Sequence, residues 1–334
     1  MKKKLLAFTC LMLLCIATAA GCGKASDKGD LTPVTLSEVA HSIFYAPMYV
    51  AIENGYFEEE GIDLTLVNSN GADKVMTALI SGEADIGFMG PESTVYTFNQ
   101  GASDYAVNFA QLTQRAGNFL VAREPDDDFT WDDLKGKTVL GGRAGGMPQM
   151  IFEYILKQNN IDPKTDLDII QNIDFGVTAE AFAGGTADYT VEFEPYASSL
   201  ELAGNGYVIA SLGTDSGYVP YTCFSALKSY MNENTEIIQK FTNAVQKGLD
   251  YVNSHTPEEI SEIIKPQFEE TDETTLKTIV KRYYDQDTWK EDTIMTEDAF
   301  NLLLDILDNA GELSQRADYN DLVTTAYSAE ALNS

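Results

Sequence analysis

The chain has 334 residues, with 22 Lys or Arg against 52 Asp or Glu, a formal net charge of −30. Hydrophobic residues make up 44% and aromatics 10%, which excludes a disordered chain and is enough to build cores for two domains of ordinary size. A field of this sign repels phosphates, so nucleic acid is excluded as a natural partner, although a local group of donors still holds a single anion.

Met1-Lys2-Lys3-Lys4 is a basic start, and Leu5 to Ala17 is an apolar run too short for a stable membrane span. Ala19-Ala20-Gly21-Cys22 resembles the lipobox of bacterial lipoprotein signal peptides, with Ala19 where Leu is usual. The resemblance implies a signal peptide over 1–21, a lipid on Cys22 and a flexible polar tether over 22–32. Cys10 and Cys15 lie in the leader, which leaves Cys223 as the only thiol of the body and no internal disulfide.

In the body, Pro33 to Leu36 predicts the first strand, His41 to Pro47 a turn, and Met48 to Ile52 a helix that stops at Asn54-Gly55. Leu64 to Val67 predicts a strand, Asp73 to Ser81 a helix closed by Gly82, and Asp85 to Met89 a third strand. Strands alternating with helices predict βαβ units, an α/β protein with mainly parallel sheets. The segment Ala78 to Asp85 matches Ala181 to Asp188 in kind: a helix end, a Gly cap and an Asp entering a strand. Two such copies predict two lobes built alike. In the second, Thr130 caps a short helix, Lys137 to Leu140 is a strand, Gly141 to Gly146 a glycine turn and Met147 to Gln158 a helix with Pro148 in its first turn. The end of the chain reads as helical near Thr235–Ser254, Pro257–Lys265, Asp272–Tyr284 and Glu297–Asn309.

The residues offer little catalytic machinery. The two histidines are His41 and His255, and Asn253-Ser254-His255-Thr256-Pro257 reads His255 as a helix C-terminal cap. No Gly-x-Ser-x-Gly elbow, metal-ligand spacing or phosphate loop is present, so no cofactor and no metal are expected. The glycine turn exposes backbone N–H groups at a helix start, to which Arg143 adds a fork of donors. A tight turn with no ligand accounts for the same run equally well. Loops at the carboxyl ends of strands gather Phe44 and Tyr45, Met89 to Thr94, and Glu192-Phe193-Glu194. Aromatics there suit stacking on a flat ring, and the two glutamates suit either a basic partner or solvent.

Ala46-Pro47-Met48-Tyr49-Val50-Ala51-Ile52-Glu53-Asn54-Gly55-Tyr56-Phe57, running on to Gly61-Ile62-Asp63-Leu64, resembles the Gly-Tyr-Phe signature of substrate-binding proteins for thiamine pyrimidines, sulfonates, taurine and nitrate. Ser81 to Gly87 and Asp133 to Val139 fit that family too, and the likeness runs in order from Pro33 to Asn309. The resemblance implies a two-lobed, periplasmic-binding-protein-like (type II) fold with extra C-terminal helices. Lobe one would be 33–122 with 218–334 and lobe two 123–217, with crossings near Ala122-Arg123 and Gly213 to Tyr218. It further implies a monomer on the outer face of the cytoplasmic membrane that closes over a small molecule and passes it to an ABC permease and its ATPase. One branch of the family is a pyridoxal-phosphate-dependent pyrimidine synthase. Its histidine after the third strand is missing from Gly87 to Thr94, and of its cysteine run only Cys223 remains, so an enzyme is not expected.

The residues expected at the ligand are Ser42, Phe44, Tyr45, Met89, Pro91, Glu92, Gln114, Arg143, Gly145, Gly146, Glu192, Glu194 and Tyr221. Arg143, with Arg115 beside Gln114, would serve a sulfonate or nitrate. Three glutamates and the aromatics favour a heteroaromatic amine such as a thiamine-precursor pyrimidine.

Overall fold

Two five-stranded sheets organise the chain in a computed structural model that describes residues 31–173 and 176–333. The leader, Cys22 and most of the tether lie outside the described residues. The strands are β1 (Thr32–Glu38), β2 (Ile62–Asn68), β3 (Ile86–Met89), β4 (Ala106–Thr113), β5 (Asn118–Ala122), β6 (Thr138–Leu140), β7 (Asp168–Ile170), β8 (Tyr189–Phe193), β9 (Tyr207–Ser211) and β10 (Thr222–Leu227). One sheet runs β2-β1-β3-β10-β4 and the other β7-β6-β8-β5-β9. In each, a central strand pairs in parallel with two neighbours, and a strand arriving from elsewhere in the chain inserts antiparallel: β10 in the first and β5 in the second.

The expected duplication is present at atomic level. Asp85 Oδ2 accepts from the Thr35 N–H at 2.8 Å, and Asp188 Oδ2 accepts from the Thr138 N–H at 2.9 Å. Each aspartate also donates its own N–H to the carbonyl of the same threonine, at 3.0 and 2.9 Å. An Asp entering a strand thus ties the helix–strand turn to the neighbouring strand twice over. That is why Gly-x-Ala-Asp recurs: the Gly ends the helix, and the carboxylate takes a donor of the inner strand just before its ladder with the next strand begins.

The crossing between the sheets corrects one expected boundary. Asn118–Ala122 is strand β5 of the second sheet, so the chain leaves the first sheet over 114–117 and not at Ala122-Arg123. The return falls between β9 and β10, over 212–221. Arg123 instead anchors the second half, donating to the carbonyls of Phe182 and Ala187 and lying over the Phe182 ring.

Helices at the end of the chain close the first sheet. Thr235–Ser254 buries Ile238, Phe241, Val245, Leu249 and Val252, a stripe at helical spacing worth about 1.5–3 kcal/mol per large side chain. Gly248 lets this helix meet Ala46–Glu53, because a Cβ there would lie 2.2 Å from the Pro47 carbonyl oxygen. His255 ends the helix as expected: Nδ1 lies 2.8 Å from the Tyr251 carbonyl, and the two rings stack at 3.7 Å. Among the described residues no helix is long and apolar enough to cross a membrane.

Candidate functional site

The carboxyl ends of β1, β3 and β8 carry the loops singled out by the sequence, and the two crossings run beside them. Ser42 precedes a single 3-10 turn, Ile43–Tyr45, and its hydroxyl accepts from the Phe44 N–H while donating to the Glu194 carbonyl at 3.0 Å. The loop after β1 is thereby fastened to the loop after β8, one sheet's end to the other's. Arg282 adds a second fastening. It reaches Glu194 by a short ion pair and Glu201 Oε2 at 2.9 Å. The Tyr283 hydroxyl donates to the Gly117 carbonyl at 3.0 Å in the first crossing.

Phe44 is fully buried at the centre of an aromatic group, 5.1 Å from Tyr45, 5.2 Å from Tyr283, 5.5 Å from Tyr221 and 5.9 Å from Phe193. Trp289 Nε1 donates to its carbonyl at 2.8 Å. Phe44 therefore supports the wall, and Tyr45 and Tyr221 are the rings that meet the acidic centre. That centre is Glu92, the first residue of the helix Glu92–Asn99 and only 3% exposed. Gly90 makes room for it: a Cβ there would lie 2.0 Å from Glu92 Oε2. Burial lifts the Glu92 carboxyl to about 8, against the pull of its own N–H and the Met147 N–H. Met147 opens the helix of the second half, so this carboxyl faces across the junction of the sheets. Its charge bears on Tyr45, Tyr221 and Cys223, whose hydroxyls and thiol are held far above their ordinary range chiefly by burial. Among the described residues Glu92 Oε2 has no hydrogen-bond partner.

The other two glutamates are committed to the protein. Glu192 accepts from Thr190 at 2.6 Å and Thr178 at 3.0 Å, and burial still raises it to about 7. Glu194 accepts from the Ser198 N–H and hydroxyl, both at 2.9 Å, as well as from Arg282. Both glutamates are therefore partnered within the protein, Glu194 by a basic side chain, and neither stands free for a ligand or solvent. The same holds for the expected anion donors. Arg143 is more than half exposed and pairs with Asp73 at 3.4 Å. The Gly145 N–H donates to Gln149 Oε1 at 2.9 Å, and the Gly145 carbonyl accepts from Tyr96 at 3.1 Å. Gln114 Nε2 is taken by the carbonyls of Asp287 and Trp289. Gly146 remains the residue before the helix, and Met89 and Pro91 are buried beside Gly90 and Glu92.

Asn118, Arg282, Tyr283 and Trp289 escaped the sequence reading. Asn118 carried the one usable signal, a polar residue between Gly117 and the apolar run Phe119-Leu120-Val121. A groove of roughly 560 Å³ lined by Tyr154, Leu302, Asp305, Asp308 and Asn309 lies between the helices Met147–Gln158 and Glu297–Ala310 and involves none of these residues.

Two like sheets, each completed by a strand from across the junction, with loops from both meeting at a buried acidic centre, make this a periplasmic-binding-protein-like fold. The alkanesulfonate-binding protein of Xanthomonas axonopodis pv. citri, solved with MOPS bound, superposes with a TM-score of 0.71 at 15% identity, covering 89% of this chain and 100% of that one. The NMT1/THI5 like family matches residues 43–260, and the chain belongs to that family. The putative binding protein YtlA of Bacillus subtilis is 46% identical over 320 residues, 95% of each chain. More distant is the formylaminopyrimidine-binding protein of Halalkalibacterium halodurans, 23% identical over 88% of this chain and 98% of its own. A 4-amino-5-hydroxymethyl-2-methylpyrimidine phosphate synthase of Aspergillus parasiticus is 25% identical over 63% of each chain.

Proposed function

We propose that the protein is the extracytoplasmic solute-binding component of an ABC importer, held to the outer face of the membrane by a lipid on Cys22. It captures a small heteroaromatic amine, a thiamine-precursor pyrimidine or a close analogue, between its two halves. The carrying observation is Glu92, a buried carboxyl with one oxygen unpaired, beside Tyr45 and Tyr221. An amino group supplies the donor that this oxygen lacks, and the rings supply faces for a flat heterocycle. An anion finds little to hold it: an acidic side chain at the centre, Arg143 tied to Asp73 at the rim, and a glycine turn closed by Gln149. The names of two distant relatives, both concerned with pyrimidines, agree with this reading. Binding without chemistry is the accompanying reading, since Gly87 to Thr94 holds no His or Lys.

The test is a thermal-shift and calorimetric screen of the body against 4-amino-2-methylpyrimidine, methanesulfonate, taurine and nitrate. The pyrimidine should raise the melting temperature. Because a carboxylate accepts from an amino group more strongly than a carboxylic acid does, binding at pH 7 should release protons from Glu92 and show a heat that depends on buffer ionisation. Binding of methanesulfonate or nitrate without the pyrimidine would replace this reading by anion transport. Cys22→Ser should release the protein from the membrane fraction, and unchanged fractionation would remove the anchor.

A further inference from the structure

The chain crosses between the sheets over 114–117 and 212–221, yet a further segment spans the same junction. It starts in the last turn of the helix Glu273–Asp285 and turns at Asp287, whose φ of +57° lies in the left-handed region that Asp tolerates. From there it runs on to Trp289. Its partners descend along the first crossing as its own numbers rise. The Tyr283 hydroxyl donates to the Gly117 carbonyl at 3.0 Å, and Gln286 Nε2 donates to the Ala116 carbonyl at 3.1 Å. The Gln114 N–H donates to the Thr288 carbonyl at 2.9 Å, and Trp289 pairs with Thr113 in an antiparallel bridge. Residues 283–289 thus lie antiparallel beside the whole first crossing, from the second sheet to the first.

Both ends of this segment are anchored. The Ala116 carbonyl only accepts, so the Gln286 amide nitrogen faces it and Oε1 is left to accept from the Ser211 hydroxyl at 2.7 Å, at the end of β9. At the other end Trp289 Nε1 donates to the Phe44 carbonyl at 2.8 Å, in the loop after β1. The second crossing joins in: the Tyr218 hydroxyl donates to Asp287 Oδ2 at 2.5 Å, and the Gly213 carbonyl accepts from Arg115 Nη1 at 3.0 Å. Gly213 lets the segments close up, because a Cβ there would lie 2.3 Å from the Ala116 carbonyl oxygen and 2.9 Å from Gln286 Nε2. Thr288 and Trp289 are buried, so water does not compete for the bonds at their end.

We infer that residues 283–289 are a third strand of the hinge and that Gln286 is a positioning residue for solute capture. Its one amide holds the last strand of the second sheet, through Ser211, against the first crossing at Ala116. It thereby sets the angle at which the loops after β1 and β8 face each other. A hinge made only of chain crossings bends by changing φ and ψ at a few residues. Here a bend that parts the sheets also breaks the hydrogen bonds of a segment anchored at both ends. The relation between the halves is therefore preset without a ligand, which lowers what a bound solute has to contribute. The inference holds for an amine or an anion alike.

The experiment measures the distance between the halves without any ligand. Nitroxides on Glu83→Cys in the first half and Lys164→Cys in the second, both exposed positions, are read by double electron–electron resonance in the compact unit 32–334. Cys223 is fully buried and takes no label. The parent protein should give one narrow distance distribution. Gln286→Leu loses the bonds to Ala116 and Ser211, and should shift the ratio of that distance to all others about tenfold. Ser211→Ala removes a single bond, should shift the ratio about threefold in the same direction, and decides the matter if the Leu variant folds poorly. Thr256→Ala is the control. It removes the cap hydroxyl that accepts from the Glu259 N–H at 3.3 Å in the first half, so it should lower the melting temperature and leave the distances alone. A structural cap without a hinge role would cost stability in the same way and leave the distances unmoved in every variant. That result, an equal shift in Thr256→Ala, or a parent distribution already broad overturns the inference, and none of them bears on which solute is bound.

Discussion

Replacing Glu92 by Gln should stabilise the unliganded protein, and only at high pH. The carboxyl is lifted from an ordinary 4.5 to about 8, mainly by burial. Its folded form therefore holds a proton more tightly than its unfolded form. Between pH 4.5 and 8 the unfolded chain binds fewer protons at this site than the folded one. Stability must then fall as pH rises through that window, and below it the penalty is absent. The full rise corresponds to roughly 5 kcal/mol at 1.36 kcal/mol per unit. Gln cannot ionise and escapes this, but its amide gives up hydration at the same place, so the net gain at pH 8.5 should be about 2–4 kcal/mol. At pH 4 the two proteins should agree within about 0.5 kcal/mol, as shape and charge then match. Urea unfolding of both proteins at the two pH values, without ligand, measures the difference directly. A gap that does not change with pH, or a variant less stable at pH 8.5, would refute the account of Glu92 as a buried acid held against its solvation. The same substitution should weaken the pyrimidine about ten- to a hundredfold, since a charge-assisted hydrogen bond is lost. Stability gained with binding lost is what a site kept unsatisfied for its ligand requires.

Two further outcomes test the frame around the site. Arg282→Met should cost about 3–5 kcal/mol by urea unfolding, because Glu194 is left buried with Ser198 alone, and Glu194→Gln added to it should restore part of the loss. His41 lies 2.8 Å from Glu38 and 2.9 Å from the Gln267 carbonyl, and its bond to Glu38 raises its pKa. The stability it adds is complete below the unfolded value of 6.5 and is lost as pH rises through the folded one. His41→Gln should therefore be more damaging at pH 5.5 than at pH 9, and an equal effect at both would show that the ring acts by packing against Phe268 alone.

Local patterns carried the first half of the fold. The run from Ala46 to Asn54, the Gly82 cap and the Asp85 entry are short-range signals, and each has its expected place in the structure. The repeat at Asp188 was legible for the same reason, since one hydrogen-bonding device serves both copies. The strands that join the sheets were not legible. Residues 119–122 are apolar throughout and the whole strand Asn118–Ala122 is buried on both faces, so it shows no alternation, and whether it pairs with β4 or β8 is decided by partners far along the chain. Glu92 was visible as an acid after a strand, but the commitments of its rivals were not. Nothing near Glu194 announces Arg282, 88 residues away. Nothing near Arg143 announces Asp73, 70 residues away.

Those distant commitments also decide where a ligand's binding energy would be felt. Asn118 directly follows one crossing and Tyr221 ends the other, and the hydroxyls of Thr113 and Thr222 meet between them. The two chain segments that hold the sheets together are therefore joined beside Tyr221. A solute seated between Tyr221 and Glu92, as proposed, would touch the end of the second crossing and the loop after β3 at once. Its contacts would be strongest only with both in place, so affinity and the relation between the halves would be coupled through one small set of atoms. A ligand seated on Arg143 at the rim would contact the halves through a single exposed ion pair to Asp73, worth under about 1 kcal/mol, and would have little with which to hold them. A solute seated at the proposed centre would thus have the leverage to keep the two sheets in register with each other.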